Sequence, residues 1–255
     1  MELNSLAIIS HEFKMPIATI RGGVEVLRRY LIVGRIDEID TATYMKSMQR
    51  NCNILARLTS NLIALSQKEL SAIYMDYSCV DFCKLIEDLI KTAKETLEAS
   101  KINYIKKIEE AYIVCDIEKI EKVFFNLISN TVRYAGKDAE IEIIIQSNDS
   151  VLEVIYSDNG PGIPKELSEK IFEPFVRINN ESTNVVSGSG LGLAIVRKFM
   201  NLHNGEVKLT TDTGEGCVFN LKFPLDDQND LSFTQNAPTN RDLNATAEIE
   251  FSTIL

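Results

Sequence analysis

The sequence lacks the marks of several common protein classes. Its five cysteines are odd in number and have no C-x-x-C spacing, which argues against a disulfide framework and a structural zinc. Reduced thiols of the cytoplasm are the better interpretation. No apolar run approaches the ~18 residues that span a bilayer. Neither a P-loop nor the dinucleotide-binding glycine pattern is present, so the common nucleotide-binding folds are disfavoured.

Basic residues are outnumbered by acidic ones, 27 to 37. The formal net charge is -10, and lysines and arginines are scattered, so nucleic acid is not an expected partner. The hydrophobic share of 45% and the charged share of 25% are those of an ordinary globular protein. At 255 residues, the chain is long enough for two modest domains.

Two heptad seams at the start predict a helical hairpin. The first seam runs through Leu6, Ser10, Phe13, Ile17, Ile20, Val24, Leu27 and Leu31, and the second through Tyr44, Met48, Asn51, Leu55, Leu58, Leu62 and Leu65. The short connection near Gly34–Asp40 favours antiparallel helices. One hairpin leaves much of each seam exposed, so a homodimeric four-helix bundle is predicted. Asn51 either sets the register of that bundle or faces solvent.

After Lys68 the pattern changes to mixed strands and helices. Strands are predicted at Ile102–Ile108, Tyr112–Cys115, Ile141–Gln146, Val151–Ser157, Glu206–Thr210 and Cys217–Phe223, and helices at Asp81–Leu97, Asp116–Tyr134 and Leu191–Leu202. The strands fall in adjacent pairs, which favours a mixed, largely antiparallel sheet with helices on one face. The predicted fold class is therefore α+β, a helical hairpin followed by an α/β sandwich.

Three polar side chains share one face of the predicted helix after Asp116. Asn126, Asn130 and Tyr134 are spaced by four, and Arg133 lies beside them. The two amides suit Mg²⁺, which accepts oxygen ligands, and they also suit phosphate. Polar residues on an outer helix face usually only meet water, so the spacing alone leaves both interpretations open.

Two glycine-rich segments flank the predicted sheet. Asp158, Gly160 and Gly162 follow a strand, and the carboxylate at its end could accept a hydrogen bond from an exocyclic amine such as that of adenine. A plain turn is the alternative. The second segment contains Gly188, Gly190, Leu191 and Gly192 and leads into a helix, whose N-terminal amides form an anion site suited to phosphate.

His11 lies one residue beyond its seam, so its imidazole is expected on the flank of the bundle. The segment S-H-E-F-K-M-P-I, residues 10–17, resembles the H-box of sensor histidine kinases. This resemblance implies that His11 is the phosphoacceptor and that Glu12 orients the imidazole and accepts its proton. Pro16 should bend or loosen the helix. Met15 stands where phosphatase-active relatives carry Thr or Asn, which puts phosphatase activity in question.

The remaining motifs resemble the catalytic ATP-binding domain of histidine kinases, which is related in fold to the ATPase domains of gyrase and heat-shock chaperones. The ordered matches are Asn126, Asn130, Arg133 and Tyr134 for the N-box; Asp158, Gly160 and Gly162 for the first glycine box; Phe172–Phe175 for the F-box; and Gly188, Gly190 and Gly192 for the second glycine box. The segment from His203 to Pro224 resembles the closing hairpin of the family, so His203 is expected to be structural.

The resemblance implies autophosphorylation of His11 from Mg²⁺-ATP and then transfer to an aspartate of a response regulator. ATP and Mg²⁺ are the implied cofactors. The regulator is expected to dock near Ile17 and Ile20. Residues Glu173–Ser187 would form a mobile cover over ATP. The chain is expected to be cytoplasmic, either by itself or as the cytoplasmic part of a membrane-bound sensor.

Two alternatives stay open at this point. One is a dimer that binds nucleotide as a signal without phosphotransfer, and the other is an ATPase or protein-serine kinase of the same fold. The expected organisation is a phosphoacceptor hairpin at residues 1–68, a linker at 69–78, an ATP-binding domain at 79–225 and a disordered tail at 226–255. The early position of His11 suggests a truncation or a kinase driven by a partner.

Overall fold

The computed structural model describes residues 2–66, 74–97, 101–148, 150–178, 188–225 and 242–254. Helices α1 (Glu2–Ile32) and α2 (Thr41–Ser66) form the predicted hairpin. Gly34 turns the chain with a φ of 67°. Asp40 caps α2, because its Oδ1 accepts a hydrogen bond from the Thr43 amide at 3.1 Å. Within the described residues, no helix is both long and apolar enough to cross a bilayer.

The hairpin packs closely but leaves one apolar surface open. A Cβ on Gly23 would lie 2.9 Å from Cγ of Met48, so glycine allows the close approach of α1 to α2. On the other side, the side chains of Ile17, Val24 and Leu31 are 51%, 52% and 67% exposed. A single hairpin therefore does not bury its own seam.

Two polar or helix-breaking residues are accommodated inside the hairpin. Helix α1 continues through Pro16, which is buried, so proline does not end the helix there. Asn51 is half-buried and donates from Nδ2 to the Ser47 carbonyl at 2.8 Å. Within this chain, Asn51 thus bonds to its own helix.

The second region confirms the predicted α+β class. Its elements are β1 (Tyr77–Asp81), α3 (Phe82–Leu97), β2 (Lys101–Lys106), β3 (Tyr112–Asp116), α4 (Ile117–Ala135), β4 (Glu140–Ser147), β5 (Val151–Asp158), α5 (Gly192–Leu202), β6 (Glu206–Thr211) and β7 (Cys217–Pro224). All the predicted helices and strands are present. Strand β1 was not predicted; it lies within and just after the expected linker and pairs antiparallel with β3.

The five-stranded sheet has the order β2-β4-β5-β7-β6, with β2 parallel to β4 and every other pair antiparallel. Alternate side chains of β4, β5 and β7 are buried on one face, as the period of two predicts. The partners Ile143, Tyr156 and Phe219 meet across three strands on that face. Helices α3, α4 and α5 share this core.

Aspartates begin two of the covering helices, as predicted. Oδ1 of Asp81 accepts from the Cys83 amide at 3.0 Å, and Oδ1 of Asp116 accepts from the Lys119 amide at 3.1 Å. The second cap fixes the start of α4, the helix that carries the paired asparagines.

The expectation of a disordered tail is wrong for residues 242–254. Asp242 caps helix α6 (Leu243–Glu250) by accepting from the Ala245 amide at 3.0 Å. Ala247 and Phe251 are completely buried. The tail has few apolar residues, but these two lie one turn apart and enter the core together. Residues 226–241 of the predicted tail, and residues 69–73 of the predicted linker, lie outside the described residues.

Candidate functional site

A cavity of about 290 Å³ opens between α4, the two glycine-rich segments and β7. Among the predicted site residues, those that line it are Asn130, Arg133, Tyr134, Asp158, Gly160, Gly162, Gly188, Gly190 and Gly192. The fold thus brings together motifs that are well separated in the sequence. Asn126, Leu191, His11 and Glu12 do not line it, and Leu191 is buried beside it at the start of α5.

Asp158 is held at the end of β5 by three donors. Its Oδ1 accepts from the Gly160 amide at 2.8 Å and the Cys217 amide at 3.2 Å, and its Oδ2 accepts from the Thr131 hydroxyl at 3.2 Å. Burial nevertheless raises the pKa of the Asp158 carboxyl, while these hydrogen bonds oppose the shift. A partly desolvated carboxylate in a fixed orientation can recognise a planar ligand that offers an N–H donor.

Thr131 and Tyr156 support Asp158 from behind, and sequence analysis did not find them. The Thr131 hydroxyl lies 2.7 Å from the Tyr156 hydroxyl and 3.2 Å from Asp158 Oδ2. Tyr156 is fully buried, and desolvation raises its pKa well above the usual value. The tyrosine therefore remains a neutral donor. Thr131 follows Asn130 directly, but its role depends on β5 lying alongside α4.

Two glycines of the site have no room for a side chain. Gly162 has a φ of 69°, and a Cβ there would lie 1.9 Å from the Asp212 carbonyl oxygen. Gly190 has a φ of 70°, and its Cβ would lie 2.9 Å from the Val176 carbonyl oxygen. The Phe175 amide donates to the Gly190 carbonyl at 2.9 Å, so the F-box segment closes directly on the second glycine-rich segment.

The paired asparagines lie against that same segment. A Cβ on Gly192 would lie 2.9 Å from Asn126 Oδ1 and 3.7 Å from Asn130 Nδ2. Asn126 is only 1% exposed, and its Nδ2 donates to the Lys122 carbonyl at 2.7 Å, which directs Oδ1 toward Gly192. The amide oxygen of Asn126 thus faces the helix terminus at which an anion is expected. Amide oxygens are among the ligands that Mg²⁺ accepts; Asn130 lines the cavity directly, while Asn126 is buried beside it.

Among the described residues, three arginines line the same cavity: Arg57 from α2, Arg133 from α4, and Arg177. Burial first, and then the charge of Arg57, lower the pKa of Arg133 to about 10, and Arg177 adds to this shift. Burial also lowers the pKa of Arg57. Cations that crowd one another in a partly desolvated space favour an anionic ligand. Of the three, sequence analysis identified only Arg133.

Glu12 of the H-box acts through its charge on two of these arginines. The charge of Glu12 raises the pKa of both Arg57 and Arg133, against the larger effect of burial, so its carboxylate is within electrostatic reach of the cavity. His11 is exposed, and Glu12 is half-buried.

His203 has the structural role that was expected of it. Its Nε2 accepts from the Asp116 amide at 3.0 Å, and its Nδ1 lies 2.7 Å from the Phe199 carbonyl. These partners require a neutral ring that carries its proton on Nδ1. Burial lowers the pKa of His203, which is consistent with the neutral form.

The F-box anchors the far side of the cavity. Phe172 is buried edge-to-face against Phe219, and the Arg197 guanidinium lies 4.0 Å from the centre of its ring. Arg197 also pairs with Glu169 at 2.8 Å, which joins α5 to the F-box segment. The predicted mobile cover falls mostly outside the described residues, which stop at Ile178 and resume at Gly188.

Two family models match the chain, and their residue ranges follow the two structural regions. The His Kinase A (phospho-acceptor) domain matches residues 2–71. The histidine kinase-, DNA gyrase B-, and HSP90-like ATPase model matches residues 115–227. The second match implies that the chain binds ATP.

Individual relatives agree with these models. The hybrid signal transduction histidine kinase D of Dictyostelium discoideum is 31% identical over 86% of this chain, which covers 14% of that protein. The sensor-like histidine kinase SenX3 of Mycolicibacterium smegmatis is 27% identical over 86% of this chain, which covers 56% of that protein. The chain thus spans little more than half the length of SenX3 and a small part of the hybrid kinase.

A solved structure agrees as well. The crystal structure of the histidine kinase ThkA in complex with the response regulator protein TrrA matches 86% of this chain and 60% of the ThkA chain, with 25% identity and a TM-score of 0.61. Because the phosphoacceptor hairpin, the ATPase sandwich and the motif-lined cavity occur together and in this order, the chain belongs to the sensor histidine kinases.

Proposed function

We propose that this chain uses ATP to phosphorylate His11 and then passes the phosphoryl group to an aspartate of a response regulator. The observation that carries the proposal is that the cavity has a carboxylate at one place and groups suited to phosphate at others. A carboxylate suited to adenine is fixed at Asp158, and arginines and helix-terminal glycine amides suited to phosphate lie elsewhere around the same space. The H-box carboxylate Glu12 is within electrostatic reach of those arginines.

The proposed nucleotide pose follows from these groups. Asp158 accepts a hydrogen bond from the exocyclic amine of adenine, while Gly160 and Gly162 let the backbone approach the base. Amides from Gly188 to Gly192 and the Arg133 guanidinium bind the phosphates. The amide oxygens of Asn126 and Asn130 would hold Mg²⁺, which neutralises phosphate charge when it is bound. Tyr134, 44% exposed at the cavity edge, covers the nucleotide.

In the proposed chemical step, one imidazole nitrogen of His11 attacks the γ-phosphorus in line. A nitrogen–phosphorus bond forms as the bond to the ADP oxygen breaks. Glu12 takes the proton from the other ring nitrogen, and the arginines stabilise the charge that develops on the leaving phosphate. The exposure of His11 leaves its ring accessible for this step and for the later transfer to a regulator.

We assign the hairpin at residues 1–68 to dimerisation and phosphotransfer, 69–78 to a linker, and 79–225 to ATP binding. The exposed seam at Ile17, Val24 and Leu31 supports a homodimeric bundle, because a second hairpin would bury it. The relative ThkA crystallised with a response regulator, which supports a regulator as the phosphoryl acceptor here. We place its docking surface on the flank of the bundle beside His11, outside the seam that a second hairpin would bury.

The test is incubation of the wild-type chain with γ-labelled ATP and Mg²⁺. We expect acid-labile, alkali-stable label in the wild type and none in His11→Gln. The matched control is Arg21→Gln, an exposed substitution three turns further along the same helix, which should keep the label. Nucleotide binding without label would support a signalling module, and label on serine or steady hydrolysis would support a different member of the ATPase fold.

A further inference from the structure

Residues 243–254, comprising α6 and the turn after it, form a C-terminal strap that joins the two regions. Phe251 is fully buried and packs against Phe125 of α4, with 5.2 Å between ring centroids. On the hairpin side, Arg50 of α2 donates from Nε to the Ser252 carbonyl at 2.9 Å. The C-terminal strap is therefore anchored to the sandwich by apolar packing and to the hairpin by hydrogen bonds.

The polar end of the strap holds two of the three arginines that line the nucleotide cavity. Arg57 donates from Nη1 to the Glu250 carbonyl, and to the Thr253 hydroxyl at 3.2 Å. Its Nε lies 3.6 Å from Glu250 Oε2. Arg133 donates from Nη2 to the same Thr253 hydroxyl. One short segment thus engages an arginine from each region.

These contacts use the donors that a phosphate group would require. A guanidinium binds phosphate through paired N–H groups, which cannot fully serve a strap oxygen and a phosphate at once. The contact between the strap and Arg57 is also incomplete. Glu250 is 2% exposed, and within the described part of the chain its Oε2 has no hydrogen-bond partner. The ion pair between Arg57 and Glu250 is therefore not reinforced by a hydrogen bond at Oε2, so a phosphate that accepts from the guanidinium directly can compete for Arg57.

We propose that Arg57 is a phosphate ligand supplied by the phosphoacceptor hairpin, and that the C-terminal strap and the triphosphate of ATP compete for Arg57 and Arg133. This inference rests on the proposed ATP site. With the strap docked, both arginines are engaged and the hairpin is tied to the sandwich. Binding of nucleotide frees the strap and so removes one of the ties between the hairpin and the sandwich, while the hydrogen bond from Lys122 Nζ to the Ser60 hydroxyl remains.

The test measures the Kd of a non-hydrolysable ATP analogue with Mg²⁺ by calorimetry on the full chain. Phe251→Ala removes the apolar anchor, and Glu250→Gln removes the charge that holds Arg57. A strap docked about 90% of the time would raise the apparent Kd ~tenfold, so both variants should bind the analogue up to ~tenfold more tightly. Glu248→Gln, an equal charge loss at an exposed position of the same helix, should bind like the wild type.

The role of Arg57 is tested where the strap is already released. Adding Arg57→Gln to Phe251→Ala should weaken analogue binding ~tenfold or more, because a charge-assisted contact to phosphate is lost. Unchanged affinity in this double variant would show that Arg57 is not a phosphate ligand. Equal or weaker binding by both strap variants, relative to the wild type, would overturn the competition.

A measurement on the wild type needs no substitution. Saturation with the analogue should speed hydrogen exchange at the backbone amides of residues 247–254, since the strap is released; unchanged or slower exchange would contradict the proposal. These readouts do not depend on phosphorylation. Failure of the kinase proposal, seen as analogue binding without label on His11, is thus distinct from failure of the strap proposal.

Discussion

The hairpin and the sandwich of this protein bury apolar surface in different ways. In the sandwich, the side chains of Phe124, Leu127 and Ile143 are at most 1% exposed within one chain. In the hairpin, Val24 and Leu31 of the seam are more than half exposed. The sandwich is therefore complete as a folding unit, whereas the hairpin needs another surface to cover it.

This difference separates the tasks of the two regions. A preformed core can hold Asp158 and the glycine-rich segments in fixed geometry, which nucleotide recognition requires. A hairpin whose seam stays exposed can accept a second chain, as the proposed phosphotransfer requires. The C-terminal strap buries Arg57 of the hairpin against the sandwich, and Lys122 of α4 donates from Nζ to the Ser60 hydroxyl of α2 at 2.6 Å.

The largest expected effect compares the loss of stability caused by a core substitution in the sandwich with that caused by a seam substitution in the hairpin. Leu127→Ala should lower the free energy of unfolding of the sandwich by about 2–5 kcal/mol, because it opens a cavity in a closed core. Val24→Ala should cost much less, and its cost should depend on protein concentration if a second chain covers it. Urea unfolding at two protein concentrations measures both. A concentration-independent loss of several kcal/mol at Val24 would contradict the comparison.

A second prediction separates binding from stability inside the sandwich. Asp158→Asn should weaken nucleotide binding by roughly 100-fold, since a buried charged acceptor is replaced. The fold should keep or gain stability, because burial raises the pKa of Asp158 and the ionised form is therefore costly at neutral pH. Calorimetry and thermal unfolding check the two effects. Asp138→Asn, an exposed substitution, is the control and should change neither.

Two glycine substitutions should act in opposite directions. Gly162→Ala should destabilise the sandwich by about 1–3 kcal/mol, because φ is positive and the added Cβ meets a backbone oxygen. Gly22→Ala should stabilise the hairpin by about 0.5–1 kcal/mol, since nothing beyond its own stretch of helix lies within 4 Å of an added Cβ and alanine favours helix. Thermal unfolding measures both. A loss at Gly22 would mean that a second chain packs against that position.

The smallest expected effect is a pH dependence confined to the sandwich. The pKa of His203 is lowered by burial, so the unfolded state binds a proton more readily than the folded state. Stability should be full above the usual histidine pKa of about 6.5 and should fall as the pH drops through the folded value, by at most ~1.4 kcal/mol per pH unit. Urea unfolding between pH 7.5 and 5.5 measures this slope. His203→Gln should reduce the slope.

Local patterns predicted most of the fold and much of the site. The alternation of Ile141, Ile143 and Ile145 predicts a strand with one buried face, and the Asp116 cap predicts the start of α4. Asp158 was identifiable because a glycine-rich turn does not by itself require a carboxylate in front of it, so the carboxylate indicates a binding role. Strand β1 was not identifiable, because its five residues pair with β3 only after the chain has folded.

Other site residues carry no local signal. Thr131 of α4 meets Tyr156 and Asp158 of β5, so the role of Thr131 depends on how the helix packs on the strand. Arg57 belongs to the hairpin seam region and enters the cavity only because α2 packs beside the sandwich. From its composition, the tail appeared too polar to pack on a core. Composition does not show that Ala247 and Phe251 lie on one helix face and are buried together.

The sequence by itself determined the helical hairpin, the mixed sheet and the ordered motifs, because each depends on side-chain periodicity or on turn chemistry within a few residues. Only the tertiary structure decided which charges share the cavity and where the C-terminal strap lies. Hydrogen bonds and ion pairs act over a few ångströms, so the meeting of Arg57, Arg133 and Glu250 depends on how distant segments pack.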